Sequence, residues 1–247
     1  MKNINIFLNK ITNGDCRLVL KEIPSNSINL IFTDPPYNIG LKYDTHKDNM
    51  TNEEYIKWCE EWISECIRIL KEDGSFYLAI GDEYAAEISI MLKSKGLKLR
   101  NWIIWYYTFG QNQRKKFNRS HTHIFYFVKD GKRFTFNSDD IRVESVRQKI
   151  KDKRAHPKGK VPDDVWQISR VAGTFNERVK NFPCQMPLKL LETVIKTSSN
   201  QKDIVLDPFM GSGTTAVASK KLNRNYIGIE ISPLYCKKIE NRLKEIL

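Results

Sequence analysis

Ile204-Val205-Leu206-Asp207-Pro208-Phe209-Met210-Gly211-Ser212-Gly213-Thr214-Thr215-Ala216 reads as a strand, a glycine turn and the start of a helix. Ala216 to Leu222 is compatible with continuing that helix. Glycines in such a turn let a ligand approach the backbone closely. A phosphate-gripping P-loop needs Gly-Lys-Ser/Thr, whereas here Gly213 is followed by Thr214-Thr215. Gly211, Gly213 and Ala216 instead satisfy the G-x-G-x-x-G/A spacing of a nucleotide-cofactor turn, a weak pattern by itself. The next apolar run, Tyr226 to Ile229, closes on Glu230, nineteen positions after Gly211, where an acidic residue commonly holds a ribose hydroxyl. The unit predicts an α/β fold with an adenosine-type ligand at the turn.

A second junction lies near the start. The apolar run Ile28 to Phe32 reads as a buried strand and is followed by Asp34-Pro35-Pro36-Tyr37. Two consecutive prolines lack N–H groups and fix φ, so the carbonyls and the Asp34 carboxylate are held as rigid acceptors beside the Tyr37 ring. Rigid acceptors next to a ring suit a planar amine, although Asp and Pro also mark ordinary strand-to-turn junctions.

Together the two motifs resemble the amino-methyltransferases that modify exocyclic amines of DNA with S-adenosylmethionine. Asp34-Pro35-Pro36-Tyr37 matches the catalytic motif of that family, and Phe209-Met210-Gly211-Ser212-Gly213 its Phe-x-Gly-x-Gly cofactor segment. The order, catalytic motif first and cofactor motif last, is similar to the β-type permutation, and the likeness runs from about Gly14 to the C-terminus. The resemblance implies a Rossmann-like fold with a mostly parallel, doubly wound sheet and a basic inserted target-recognition segment. It implies S-adenosylmethionine held by Asp34, Asp207, Phe209, Gly211, Ser212, Gly213 and Thr214, with Glu230 on the ribose hydroxyls. Asp15 and Cys16 would lie near the adenine and Gln185 to Leu191 toward the methionine. Aspartate at position 34 favours adenine N6, because members acting on cytosine N4 usually begin the motif with serine.

The net charge of +12 is concentrated. Between Gln111 and Lys160 fifteen Lys and Arg face five acids, which makes +10 of that total, and Phe117, Phe134 and Phe136 are interleaved. Such a segment suits phosphate contacts, and Arg114, Lys115, Lys116, Arg119, Arg147, Lys151, Lys153 and Arg154 are the candidate DNA-binding residues. Double-stranded DNA is the expected partner; a homodimer and a cognate restriction endonuclease stay open. Five cysteines without a C-x-x-C pair argue against a disulfide framework and a zinc site. No apolar run approaches the roughly 20 residues needed to span a bilayer, and no secretory signal is legible, so a cytoplasmic protein is expected.

At 247 residues, one methyltransferase domain is expected, with a catalytic half (1–110), a basic target-recognition region (111–183) and a cofactor-binding half (184–247). Thr51-x-x-Glu54 is a capping box for a helix whose aromatics, Tyr55, Trp58 and Trp62 among them, read as core, with Asp73-Gly74 ending the run. A strand at Ser75 to Ile80 is followed by a helix ending near Gly96 and by long adjacent strands at Leu97 to Tyr107 and Thr122 to Val128. Asp130-Gly131 suggests a hairpin into a strand at Arg133 to Phe136. From Ser138 to Thr174 the pattern is irregular, and a helix begins at Pro187 and runs through Leu190, Leu191, Val194 and Ile195.

Other chemistries fit less well. Pro183-Cys184 resembles the nucleophilic dipeptide of cytosine C5 methyltransferases, but their Glu-Asn-Val partner motif is absent. His121-Thr122-His123 places two imidazoles on one strand face without a supporting Cys or carboxylate spacing, so no metal is expected. Methylation of cytosine N4 in DNA, of an RNA base or of a protein glutamine, a nucleotide-cofactor oxidoreductase and a silent DNA-binding module remain alternatives.

Overall fold

The computed structural model describes residues 3–41, 43, 45, 48–111, 113–173, 175–180, 182 and 184–245, with the backbone alone at 109–111. Pro183, half of the dipeptide weighed above, and Thr174, the end of the irregular stretch, lie outside the described residues. The elements in chain order are β1 (Lys10–Asn13), α1 (Cys16–Glu22), β2 (Ile28–Thr33), α2 (Asn52–Ile69), β3 (Leu70–Ile80), α3 (Ala85–Ser94), β4 (Lys98–Gln111) and β5 (Arg119–Val128). After β5 come the single-turn α4 (Val146–Lys149), β6 (Val165–Gln167), α5 (Leu188–Ser198), β7 (Ile204–Asp207), α6 (Thr214–Lys221), β8 (Asn225–Glu230) and α7 (Pro233–Lys244).

The eight strands form one sheet in the order β1-β8-β7-β2-β3-β5-β4-β6. All pairings from β1 to β3 are parallel; β5 runs antiparallel to β3 and β4, and β6 pairs parallel with β4. Alternate residues feed opposite faces, as the two-residue period requires. Ile31, Phe76, Leu78, Ile80, Phe125 and Phe127 pack with α1, α2 and α3, whereas Leu30, Phe32, Tyr77, Ala79, Ile124 and Tyr126 pack with α5 and α6. Both faces are therefore covered, which is why β2 and the second half of β3 are apolar without alternation. The expected α/β class and the doubly wound, mostly parallel sheet are what the chain adopts. Among the described residues no helix is long and apolar enough to cross a membrane.

The capping box predicted for α2 forms: Thr51 Oγ1 accepts from Glu54 N at 3.3 Å and Glu54 Oε2 accepts from Thr51 N at 2.8 Å. Two local expectations fail. Asp73-Gly74 does not end the helix in a turn, because β3 already begins at Leu70; the irregularity is taken up as a register shift against β2 between Ile28 and Leu30. No strand forms at Arg133 to Phe136. Both edges of β5 are occupied, by β3 and β4, so the chain after Asp130 cannot pair back. It crosses the sheet face instead, with Phe136 stacked on Tyr126 and Asn137 Nδ2 donating to the carbonyls of Lys196 and Ser199 at the end of α5.

Candidate active site

At the carboxyl ends of the strands lies a cavity of about 770 Å³. Ile31 pairs with Leu206 and Leu206 with Ile227, so the residues that follow β2, β7 and β8 emerge along one edge. The sequence turns away in opposite directions on the two sides of the β7–β2 junction, where ligands sit in open α/β sheets. Asp34 to Tyr37, Asp207 to Ser212, Thr214, Glu230, Asp15 and Cys16 line this cavity. Gly213 shapes the loop from behind instead.

On the side of β2, the Tyr37 hydroxyl donates to Asp34 Oδ1 at 2.6 Å. Asp34 Oδ2 has no hydrogen-bond partner among the described residues. Burial pushes the Asp34 carboxyl up to about 6, against the smaller opposing effect of the Tyr37 bond, and burial also raises the Tyr37 phenol. The motif is held from outside. Tyr55 OH donates to the Pro36 carbonyl at 2.7 Å, and the buried Asp48 carboxylate accepts from the backbone N–H of Asn38, Ile39 and Leu41 at 2.7, 3.0 and 3.0 Å. Asn38 takes a left-handed φ of 57°, with its side chain bridging Met50 and Tyr84.

On the side of β7 and β8, every bond draws the loop tight. Asp207 Oδ2 accepts from Thr215 Oγ1 at 2.6 Å and Oδ1 from Phe209 N at 3.0 Å, while burial pushes its carboxyl up to about 7. Glu230 Oε2 accepts from Gly211 N at 2.8 Å and Oε1 from Ser232 N at 2.9 Å, which orients the carboxylate toward the cavity. Gly213 has a left-handed φ of 80°, and a Cβ there would lie 2.6 Å from Ile239 of α7. Arg242, also on α7, donates to the Ser212 carbonyl at 2.9 Å. Phe209 packs edge-on to Trp62 and near Trp58. Asp15 caps α1 and pairs with Arg17, while burial raises the Cys16 thiol well above its usual range.

Several residues depart from their sequence reading. Trp58 packs against the core as expected, and with Glu54, Lys57 and Glu61 it also lines the cavity; the signal for that second role is the polar i, i+3, i+7 stripe beside it on α2. From Gln185 to Leu191, Gln185 and Met186 reach the cavity, whereas Leu190 and Leu191 are buried under the sheet. Tyr43, Trp105, Tyr107, Arg170 and Tyr235 also line it, and none belongs to a recognisable motif.

Of the candidate DNA-binding residues, Arg114, Lys115, Lys116, Arg147, Lys151 and Lys153 are exposed and make no side-chain ion pair among the described residues. Arg154 pairs with Asp152, and Arg119 is held by Asp82 at 3.0 Å and Glu83 at 2.5 Å. Asp82 also lies 3.0 Å from His123 and 3.4 Å from His121, a carboxylate that sequence spacing did not bring to the pair. Trp102 Nε1 donates to His123 Nδ1 at 2.9 Å, so the neutral ring carries its proton on Nε2 and directs it at Asp82. Burial, and next the neighbouring His121, lower the His123 pKa and favour that neutral form. A metal ion would need the Nε2 lone pair that this tautomer spends on a proton.

A family model described as DNA methylase matches residues 28–241. The chain is 42% identical over 225 residues to the type II methyltransferase M.HpaI of Haemophilus parainfluenzae, an alignment covering 91% of this chain and 70% of that protein. It is 39% identical over 236 residues to the DNA adenine methyltransferase YhdJ of Escherichia coli K12, covering 92% and 80%. Among solved structures, the cytosine-N4-specific PvuII DNA methyltransferase aligns with a TM-score of 0.74 at 23% identity, over 94% of this chain and 85% of that one. The M1.HpyAVI–SAM complex aligns with a TM-score of 0.65 at 24% identity, over 94% and 98%. At these identities the structural likeness concerns the fold.

Proposed function

The chain belongs to the N6/N4 DNA methylase family, and from that premise we propose that it methylates the N6 amine of adenine in double-stranded DNA, using S-adenosylmethionine. The observation that carries this reading is the meeting of Asp34-Pro35-Pro36-Tyr37 and the glycine loop in one cavity, with Asp34 Oδ2 left unpartnered. The cavity fits the cofactor chemically. Asp34, Asp207 and Glu230 face it, and burial has pushed two of the three carboxyls up, so a cationic ligand relieves charge crowding there. Glu230 would take the ribose hydroxyls, Asp15 and Cys16 the adenine side, and Phe209 to Thr214 the remainder. When bound, S-adenosylmethionine supplies a methyl group already activated by its sulfonium charge.

The protein's task is then on the base. An exocyclic amine is a poor nucleophile because its lone pair is delocalised into the ring. Asp34 Oδ2 and the Pro35 carbonyl accept its two N–H bonds, which turns the lone pair out of conjugation and toward the methyl group. An Asp34 carboxyl near 6 is matched to taking the released proton at neutral pH. Reaching the site requires the nucleotide to leave the helix, at a cost of a few kcal/mol, with its base against Tyr37. Adenine is preferred over cytosine N4 on the aspartate at position 34 and on the likeness to YhdJ. The likeness to type II methyltransferases supports pairing with a cognate restriction endonuclease.

Incubation with unmethylated DNA and S-adenosylmethionine, digestion to nucleosides and mass spectrometry test the reading. N6-methyladenine is the expected product. N4-methylcytosine would overturn the choice of base, and no methylated nucleoside would overturn the activity.

A further inference from the structure

Arg170 stands three residues beyond β6, on the edge of the sheet opposite the glycine loop. The chain is anchored two residues before it: Trp105 Nε1 donates to the Ile168 carbonyl at 2.8 Å, and Ile168 N donates to Tyr106 O at 3.1 Å. The guanidinium lies 5.2 Å from the Tyr107 ring centroid, is half-buried, and lines the cavity. Among the described residues it makes no hydrogen bond and no ion pair. This contrasts with Arg119 on the same rim, whose donors are taken up by Asp82 and Glu83. An unpaired, partly desolvated guanidinium is costly to keep, and its five donors in a planar fork match an anion presenting two oxygens. Its charge is felt inside the cavity, where it opposes that of Asp34 at the Cys184 thiol.

We propose that Arg170 grips the backbone phosphate beside the nucleotide whose base enters the cavity, and so holds that nucleotide out of the helix. The inference rests on the DNA-methylation reading above. A phosphate fits better than the carboxylate of the cofactor, because Arg170 follows β6 and stacks on Tyr107 of β4, whereas the glycine loop follows β7, with β2, β3 and β5 between them in the sheet. Stacking on Tyr107 keeps the guanidinium in place before DNA arrives, which lowers the ordering cost of the contact.

The test compares the full chain with R170A and R170K, using linearised plasmid DNA from a methylation-deficient host and S-adenosylmethionine with a tritiated methyl group. For R170A, kcat/KM for DNA should fall at least about tenfold. The slope of its logarithm against log salt should become shallower by about 0.9, the value for one lost phosphate contact. R170K should recover part of the loss, and calorimetric binding of S-adenosylmethionine should match the unsubstituted chain in both variants, which also shows that they fold. Unchanged kcat/KM overturns the proposal. A loss with an unchanged salt slope assigns Arg170 to a base edge, and weakened cofactor binding assigns it to the cofactor, either of which also overturns it. Absence of methyl transfer by the unsubstituted chain would instead sink the reading on which the proposal rests.

Discussion

The two ends of the cavity are built on opposite plans. At the end formed by β7, β8 and α7, Asp207, Gly211, Ser212 and Thr215 are all bonded within the protein, and the loop is shaped before any ligand arrives. At the end formed by β2, β4 and the segment after β6, Asp34 Oδ2 and the Arg170 guanidinium have no hydrogen-bond or ion-pair partner among the described residues. The first end is a rigid mould, and on the proposed function the second is the end that the substrate would complete. A methyltransferase needs this asymmetry, because its cofactor is always the same small molecule whereas its target must be taken out of a duplex and later released.

The sharpest way to break the comparison is Asp34→Ala. Methyl transfer should fall by on the order of 10³, the scale of losing a placed electrostatic group, while calorimetric binding of S-adenosylmethionine stays within a few-fold. A parallel loss of cofactor binding would mean that the two ends are not separable.

Gly213→Ala attacks the rigid end. The new Cβ meets Ile239 at a left-handed φ, so thermal unfolding should show a loss of about 1–3 kcal/mol together with weakened cofactor binding. A variant with unchanged melting and affinity would show that the loop is not tensioned by α7.

Acid should act on the target end by protonating Asp34, whose carboxyl sits near 6 because burial disfavours its charge. Below that pH the acceptor is lost, so kcat/KM should drop about tenfold per pH unit, and a flat profile between pH 5 and 7 would exclude Asp34 as the acceptor. Stability takes the opposite sign. The folded chain binds these protons more tightly than the unfolded one, so the contribution of Asp34 and Asp207 is fully present below about pH 4 and is lost as pH rises through about 6 and 7.

The smallest effect is expected on the exposed basic surface. Replacing Lys151 and Lys153 by Ala should lower DNA affinity less than about tenfold and reduce the salt slope by at most about 2, read from binding isotherms at several salt concentrations. A larger loss would make this surface, and not the cavity rim, the main grip on DNA.

Both motifs of the candidate site were legible in the chain because each is contiguous: a strand, a turn chemistry and a ligand-facing residue lie within a few positions at Asp34 and at Asp207 to Gly213. The capping box of α2 and the apolar runs of the parallel strands were legible for the same local reason. What the linear order could not contain was neighbourhood. The strand expected at Arg133 to Phe136 fails because β5 is flanked on both sides by strands from elsewhere in the chain. Trp58 packs on the core as its spacing implies, but only the fold, which sets its turn of α2 against the glycine loop, makes it a cavity residue as well. Arg170 carries no motif at all; only the pairing of β6 with the far edge of the sheet places it at the same cavity as Asp34. Covalent and short-range effects, the fixed φ of proline, the freedom of glycine and the period of a strand, are properties of the sequence itself. Which side chains share a cavity, and which of their charges are left unpaired, depends on strand order, and strand order is decided by the packing of the whole sheet.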